Sequence, residues 1–430
     1  MRQQKEIELK SVLGFKNQLL SWSQQFEEIV WLDSNQCIQS HATYDAVLAV
    51  DAFTGIQTDV INGFDKLKEY QETTKDWIFG YLSYDLKNDI EPLSSKNFDG
   101  LNFPDLYFFQ PKKLFFFKEN TVTIMYLNYV SDEISLDLIA IDSFSESTQT
   151  TSTNNDIKIE SRVSKASYIE KVTAMLSHIQ RGDIYEANFC QEFYANSKLN
   201  PLHTYFKLNL IALPPFASFF KNGNHFLLSS SPERYLKKQG STITSQPIKG
   251  TAKRSENIIE DNNLKTVLKH DKKERSENIM IVDLVRNDLS KIAKKGSVKV
   301  TELCEIHSFK QVHHMISTVV AEALPSLTPV DIIAATFPMG SMTGAPKISA
   351  MKIIEGLEES KRGVYSGAVG YFSPEGDFDF NVVIRSILYN AYNAYISFSV
   401  GSAITSKSIP EKEYEECLVK AKAMRSVLEN

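Results

Sequence analysis

The chain lacks most of the features that would classify it at sight. Its 430 residues include only four cysteines, Cys37, Cys190, Cys304 and Cys417, scattered without a CxxC pair. That pattern excludes a disulfide framework, and free thiols in a reducing compartment are expected. No apolar run reaches the roughly 18 residues that a membrane helix needs, so no membrane association is expected. The opening MRQQKEIELK has no apolar stretch, which argues against a signal peptide and for a cytoplasmic protein. Excess positive charge is also missing. Lys and Arg number 47 against 53 Asp and Glu, a net charge of −6, which argues against a general nucleic-acid binder. No internal repeat occurs at solenoid periods.

What is present suits a globular enzyme. Hydrophobic residues make up 42% and charged residues 23%, ordinary values for such a chain. The length exceeds one ordinary core, so two domains or one large composite domain are expected. SFSESTQTTSTNND, residues 143–156, is rich in Ser, Thr and Asn and reads as a polar linker. It would separate an N-terminal α+β region, 1–142, from a larger catalytic region, 157–430. In the first region YDAVLAVDAF, WIFGYLSYDL, LYFFQPKKLFFF and TVTIMYLNYV read as strands, with turns at NG and DG.

The second region alternates between the two periods. ASYIEKVTAMLSHIQRGD predicts an amphipathic helix with Tyr168, Val172, Met175, Leu176 and Ile179 on one face and Gly182 as its stop. HFLLSSS, ERYLKKQ and STITSQP predict strands. NNLKTVLKHDKKERSENIMIVDLVRNDLSKIA is mostly helical in pattern. GVYSGAVGYFS, DFNVVIRSILYN and AYISFSV predict three further strands, and a last helix opens near Pro410 with Leu418, Val419, Met424, Val427 and Leu428 on its apolar side. Antiparallel runs broken by long helices, with no βαβ rhythm, indicate α+β: large, mostly antiparallel sheets packed together and flanked by helices.

Several residues could carry chemistry. Glu274 and Glu277 in KKERSEN, and Glu413 and Glu416 in PEKEYEE, each have i,i+3 spacing that puts two carboxylates on one helix face. Two such helices side by side would converge four carboxylates, a site for a hard cation such as Mg²⁺; either pair alone reads equally as solvated surface. Lys249, in SQPIKGTAKR, stands in a partly apolar strand, where a desolvated amine is suited to nucleophilic or base chemistry. Glu233, in SSSPERYL, is 16 residues earlier and could share a pocket with it, or form a surface pair with Arg234. FPMGSMTGAPK, residues 337–347, is a glycine-rich turn before a helix and suits an anion such as a carboxylate, without the spacing of a nucleotide P-loop. Arg385 sits in the apolar strand NVVIRSIL and calls for an anionic partner. His314, in QVHHMIST, reads as a base or a helix-surface histidine, and Lys420 stands one turn after Glu416.

From about Ser164 onward these motifs resemble the chorismate-utilising enzymes. The carriers are RGDIYEANF, SSSPERYL, QPIKGTAKR, ERSENIMIVDLVRNDLSKI, HHMIS, GSMTGAPKISAMKIIEGLE, RGVYSGAVGYFSPEGDFD, VVIRS and PEKEYEECLVKAKAM, in the family's order. The resemblance implies Mg²⁺ held by Glu277 and Glu416, with Glu274 and Glu413 close by. It implies substrate carboxylates held by Tyr365, Arg385, Gly401, Lys420 and the Gly250–Thr251 backbone, with Gly344 shaping the pocket. Glu233 would be the acid/base for the departing hydroxyl, and His314 is retained as a catalytic candidate.

Within the family, PIKGT with Lys249 marks the branch that aminates chorismate at ring carbon 4; the ortho-aminating branch has alanine there. The lysine's pKa is expected to be lowered by Mg²⁺ and Arg385. Two departures stand out. Glu186 replaces a usual glutamine, and GSAIT, with Ser402 and Ala403, replaces GGGIV. None of the cysteines lies in a glutaminase elbow, so the implied partner is a separate glutamine amidotransferase subunit supplying ammonia.

Overall fold

A computed structural model describes residues 2–37, 41–144 and 157–429. Among these, twenty strands join by antiparallel pairing into one network with two arms. Leu106–Lys118 links the arms: it pairs with Ala46–Thr58 along its length and with Ile78–Leu82 through its first residues. The first arm runs from Ala46–Thr58 through Glu28–Asp33, Phe216–Asn222, His225–Ser231, Ser386–Asn390 and Tyr395–Thr405 to Glu186–Asn196. The second runs from Ile78–Leu82 through Ala368–Phe372, Phe378–Val382, Arg234–Gln239 and Thr242–Gln246 to Val312–Glu322, which also carries Ile248–Lys253 and Lys299–Ser308. Strands from both sides of the 143–156 stretch therefore share each arm. That stretch itself, beyond Phe144, lies outside the described residues.

Successive strand side chains point to opposite faces, and here both faces are covered. Ile29, Trp31, Phe115, Phe117 and Phe219 pack outward against helices that include Val12–Ser23 and Pro410–Glu429. Ile78, Leu82, Phe372 and Phe380 pack outward on the second arm, beneath Lys272–Ser290 and Pro329–Thr336. The alternate residues Val30, Phe79, Tyr81, Phe109, Phe116 and Phe220 meet between the arms. Each fully buried aromatic contributes roughly 1.5–3 kcal/mol. Burial on both faces explains the continuous apolar runs, and the sheets flanked by helices match the expected class.

The helices begin and end where the side chains permit. Ser164 caps Lys165–Arg181, and Gly182, at φ 85°, closes it. Asp271 accepts from the amides of Lys273 and Glu274 and so starts Lys272–Ser290. Other expectations change. The Asn62–Gly63 pair opens the helix Gly63–Thr74 and makes no hairpin turn. QVHHMIST is strand, because His313 and His314 lie in the register of Val312–Glu322. DFNVVIRSILYN is two strands, broken at Arg385, whose φ is +53°. On the last helix Leu418 and Val419 face water, and Cys417 and Ala421 take the buried places. The edge strand Arg2–Glu8, unrecognised in the charged opening, is pinned by Arg2 to Asp76.

Candidate active site

Among the described residues the two arms exchange chain through short connections at two places, and both carry candidate residues. Glu233 lies between His225–Ser231 in the first arm and Arg234–Gln239 in the second. Arg385 lies on the return path, between Phe378–Val382 and Ser386–Asn390. The backbones are tied together here: the Val382 amide donates to the Glu233 carbonyl (3.0 Å), and the Ser230 amide donates to the Arg385 carbonyl (3.2 Å). Glu233 and Arg234 are not a surface pair. Both are buried, and Arg234 bonds Asp379 at 2.9 Å. Arg385 is half-buried, and among the described residues it has no ion-pair partner. Burial draws its pKa down while Tyr365 and Glu416 oppose that. A guanidinium left without a carboxylate in such a place is prepared for an anionic ligand.

Lys249 projects from Ile248–Lys253 toward this crossing. Its Nζ stands 3.7 Å from Oε1 of Glu186, the first residue of Glu186–Asn196. Burial pushes the lysine pKa down, but Glu186, Glu277, Glu233 and Glu416 push it up and prevail. The lowering expected of Mg²⁺ and Arg385 is thus not produced by the protein's own groups, whose four carboxylates outweigh desolvation. Burial raises the Glu233 carboxyl to about 7 against the opposing pull of Ser341 and Lys249. It is therefore poised to carry a proton near neutrality, as an acid must.

The paired glutamates come from two helices, Lys272–Ser290 and Pro410–Glu429, and all four act on Lys273: burial draws its pKa down, and Glu277, Glu413, Glu416 and Glu274 push it up and prevail. Burial lifts Glu277 to about 7, and its Oε1 has no hydrogen-bond partner. Glu274 is also raised by burial. Desolvation pushes Glu416 up, but Lys420, 2.7 Å away, holds it below the usual range. Glu413 accepts from the Ser402 hydroxyl and is drawn to the strand Tyr395–Thr405. Among the described residues no three His, Cys, Asp or Glu side chains form a ready-made metal cluster. The donor set nonetheless suits a hard divalent cation, because the Glu277 Oε1 is buried without a hydrogen bond, with only the Lys273 ammonium 3.8 Å away, and a cation would relieve that cost.

Other candidates line the same region or support it. Gly250 has φ +86°, and a Cβ there would sit 3.2 Å from the Glu274 carboxylate, so glycine lets this strand approach the acidic helix. Thr251 Oγ1 lies 2.9 Å from His314 Nδ1. Burial and then Arg385 depress His314 to about 4, so it is neutral at physiological pH. Lys420 also donates to the Gly401 carbonyl at 2.8 Å, leaving Ser402 and Ala403 buried beyond it. Tyr365 is buried with its hydroxyl 3.8 Å from the Cys190 sulfur.

The glycine-rich turn is not an open anion loop. Gly344 and Ala345 pair with Ala187 and Glu186, and Lys347 is committed to Asp288 (2.6 Å) and to the carbonyls of Thr336 and Pro338. The turn borders the pocket through Ser341 instead. One residue was given no role by the sequence: Arg362, buried, which bridges Glu358, the Met342 carbonyl and the Asn188 carbonyl. Its only signal was its place at the head of the motif RGVYSGAVGYFSPEGDFD.

The family model for chorismate binding enzyme matches residues 24–426. The chain belongs to the chorismate-binding enzymes. Among relatives of this family, the chain is 32% identical to aminodeoxychorismate synthase component 1 of Bacillus subtilis over 360 residues, 81% of this chain and 76% of that protein. It is 42% identical to a probable chloroplastic aminodeoxychorismate synthase of Oryza sativa subsp. japonica over 270 residues, 62% of this chain. The chain spans only 30% of that rice protein's length. In structure it resembles anthranilate synthase component I from Streptococcus pneumoniae, with a TM-score of 0.77 and 28% identity, covering 90% of this chain and 94% of that one. No helix among the described residues is long and apolar enough to cross a membrane.

Proposed function

We propose that this chorismate-binding enzyme aminates chorismate at ring carbon 4, giving 4-amino-4-deoxychorismate for 4-aminobenzoate and folate synthesis. The observation that carries the reading is the crossing of the two arms, where Lys249 and the buried Glu233 each shift the other's pKa and Arg385 has no ion-pair partner among the described residues. Arg385 and Lys420 orient the dianionic substrate, and the two strand crossings exclude water around the ring. The Lys249 amine forms a bond to ring carbon 2 while the bond from carbon 4 to its hydroxyl breaks. Glu233 gives its proton to that leaving oxygen, which departs as water. Ammonia then bonds to carbon 4, the amine leaves carbon 2 with its electron pair, and Glu233 regains a proton from the incoming nitrogen. Mg²⁺ would be held by Glu277 and Glu416 with Glu274 beside them, and when bound it supplies positive charge to the ring carboxylate and to the developing oxyanion.

Ammonia would come from a separate glutamine amidotransferase subunit. The state of the thiols supports this: Cys190, Cys304 and Cys417 are buried, and burial pushes Cys37 up to about 11 and Cys190 to about 12. None is a thiolate nucleophile. The test is to incubate the purified chain with chorismate, Mg²⁺ and ammonium at mildly alkaline pH and to identify the product by chromatography with mass detection, beside Lys249→Ala. Aminodeoxychorismate from the parent and none from the variant is the expected result. Anthranilate, or an equally active variant, would refute the assignment.

A further inference from the structure

Glu186 has no part in the steps above, yet it is the carboxylate nearest the nucleophile. Its side chain is 2% exposed, one oxygen is 3.7 Å from Lys249 Nζ, and the other, Oε2, is buried with no hydrogen-bond partner. Among the described residues no other carboxylate comes within ion-pair distance of Lys249. The backbone on either side is locked: Thr405 stands opposite Glu186 on one flank and Ala345 on the other, and the Tyr185 amide donates to the Ala345 carbonyl at 2.7 Å. Strand pairing on both flanks fixes the backbone from which the Glu186 side chain leaves the sheet. A buried carboxylate in so dry a place must justify its charge, and an unpartnered oxygen makes a poor half of a salt bridge.

Building on the amination reading, we propose that Glu186 is the proton-accepting partner of Lys249, taking one proton from its ammonium inside the pocket so that the amine is free to attack. One N–H bond of Lys249 breaks and one O–H bond of Glu186 forms, so the pair keeps its proton count and no solvent base is needed. When ammonia expels the amine, the proton returns to nitrogen and the pair is reset. At rest the ammonium is held by the carboxylates around it, and the transfer is assisted by desolvation, which raises the Glu186 carboxyl against the pull of Lys249 and draws the Lys249 ammonium down against Glu186, Glu277, Glu233 and Glu416. The other charged groups facing the pair have separate duties. Glu233 comes from the first crossing, Glu277 and Lys273 from the helix Lys272–Ser290, Glu416 from the C-terminal helix, and Arg385 from the second crossing. Glu186 is thus a positioning residue that acts through Lys249.

Two measurements test this. The first needs no substrate: competitive acetylation of the full chain with acetic anhydride across pH, with Lys249 read by peptide mass spectrometry. In Glu186→Gln the labelling midpoint of Lys249 should fall by at least about one pH unit relative to the parent, because the carboxylate that raises it is gone; an unchanged midpoint overturns the pairing. The second is kcat at saturating chorismate and ammonia. Glu186→Gln should lose about a hundredfold near pH 7. The ratio of variant to parent should then climb about tenfold per pH unit, since the amine must now lose its proton to water. Glu186→Asp should restore a ratio independent of pH. A Gln variant with a constant ratio across pH marks a merely structural role and refutes the proposal. Should Glu186→Gln fail to fold, Glu186→Asp carries both measurements, and a labelling midpoint identical to the parent's together with full loss of kcat refutes it. If the parent itself does not aminate chorismate, the amination reading fails and the labelling result alone decides the role of Glu186.

Discussion

Replacing Arg362 by Met should cost this protein much of its stability, although the residue touches no reacting atom. Its side chain is 3% exposed, and the guanidinium makes a bidentate pair with Glu358, through Nε at 2.9 Å and Nη2 at 2.7 Å. It also donates to the carbonyls of Met342 at 2.6 Å and Asn188 at 2.7 Å, and it lies 4.5 Å from the centre of the Tyr84 ring. Methionine fills similar volume but satisfies none of these groups. Removing one partner of a buried pair costs about 3–5 kcal/mol, because the remaining carboxylate is left uncompensated. Here Glu358 would keep only the Cys190 amide, at 2.8 Å. Two orphaned carbonyls add to the cost, so a loss of at least about 4 kcal/mol is expected, against the 5–15 kcal/mol that typical domains possess. Urea unfolding followed by tryptophan fluorescence measures it, since Trp22, Trp31 and Trp77 are all buried. The double variant Glu358→Gln with Arg362→Met should recover at least about 1 kcal/mol relative to Arg362→Met alone, because the stranded charge is removed. A single-variant loss below about 1 kcal/mol, or no recovery in the double, would refute the argument.

Two further outcomes follow from the same reasoning. His314 is held near 4 while an unfolded histidine titrates near 6.5, so in this window the unfolded chain binds a proton that the folded one refuses. Stability is complete above pH 6.5 and falls as pH drops toward 4, by up to about 3 kcal/mol from this residue. His314→Gln, which can still bond Thr251, should show a visibly shallower decline in denaturant midpoint between pH 6.5 and 4; parallel curves would exclude the contribution. For the acidic site, Mg²⁺ at a hundredfold excess over its dissociation constant should stabilise the parent by about 2.7 kcal/mol. Glu277→Gln should abolish that shift in thermal midpoint, and retention of the full shift would remove Glu277 from the cation site.

Much of the chemistry was readable because it rides on local rules. The i,i+3 glutamates needed only a helix to share a face, and Pro410 marked one helix start; the other helical run is broken in two at Asp271, which ends Ile258–His270 and caps Lys272–Ser290. Lys249 between Ile248 and Gly250 signalled an amine in a dry strand, and the order of the motifs pointed to the family. The strand expectations held where apolar runs were long, since burial on both faces leaves no alternation to misread. They failed where tertiary demands override local pattern. Arg385 breaks its strand in a left-handed conformation that no apolar periodicity forecasts. His314 is strand because Ile248–Lys253 and Lys299–Ser308 both pair with its segment.

By itself, then, the sequence determined which residue types were available, which pairs shared a helix face, and the class of fold that long apolar strands and capped helices must build. Only the tertiary structure decided which carboxylate stands against Lys249. Glu186 is 63 residues away in the chain, and its place there depends on strand register across two arms of a sheet. It also decided that Lys347 is spent on Asp288, that Arg362 binds three segments together, and that Arg385 is left without an ion-pair partner among the described residues. Each of these is a contact across long separation, set by how the layers close. The physical reason is that a pKa or an unsatisfied group depends on everything within a few ångströms, and a linear sequence specifies only the nearest neighbours along the chain.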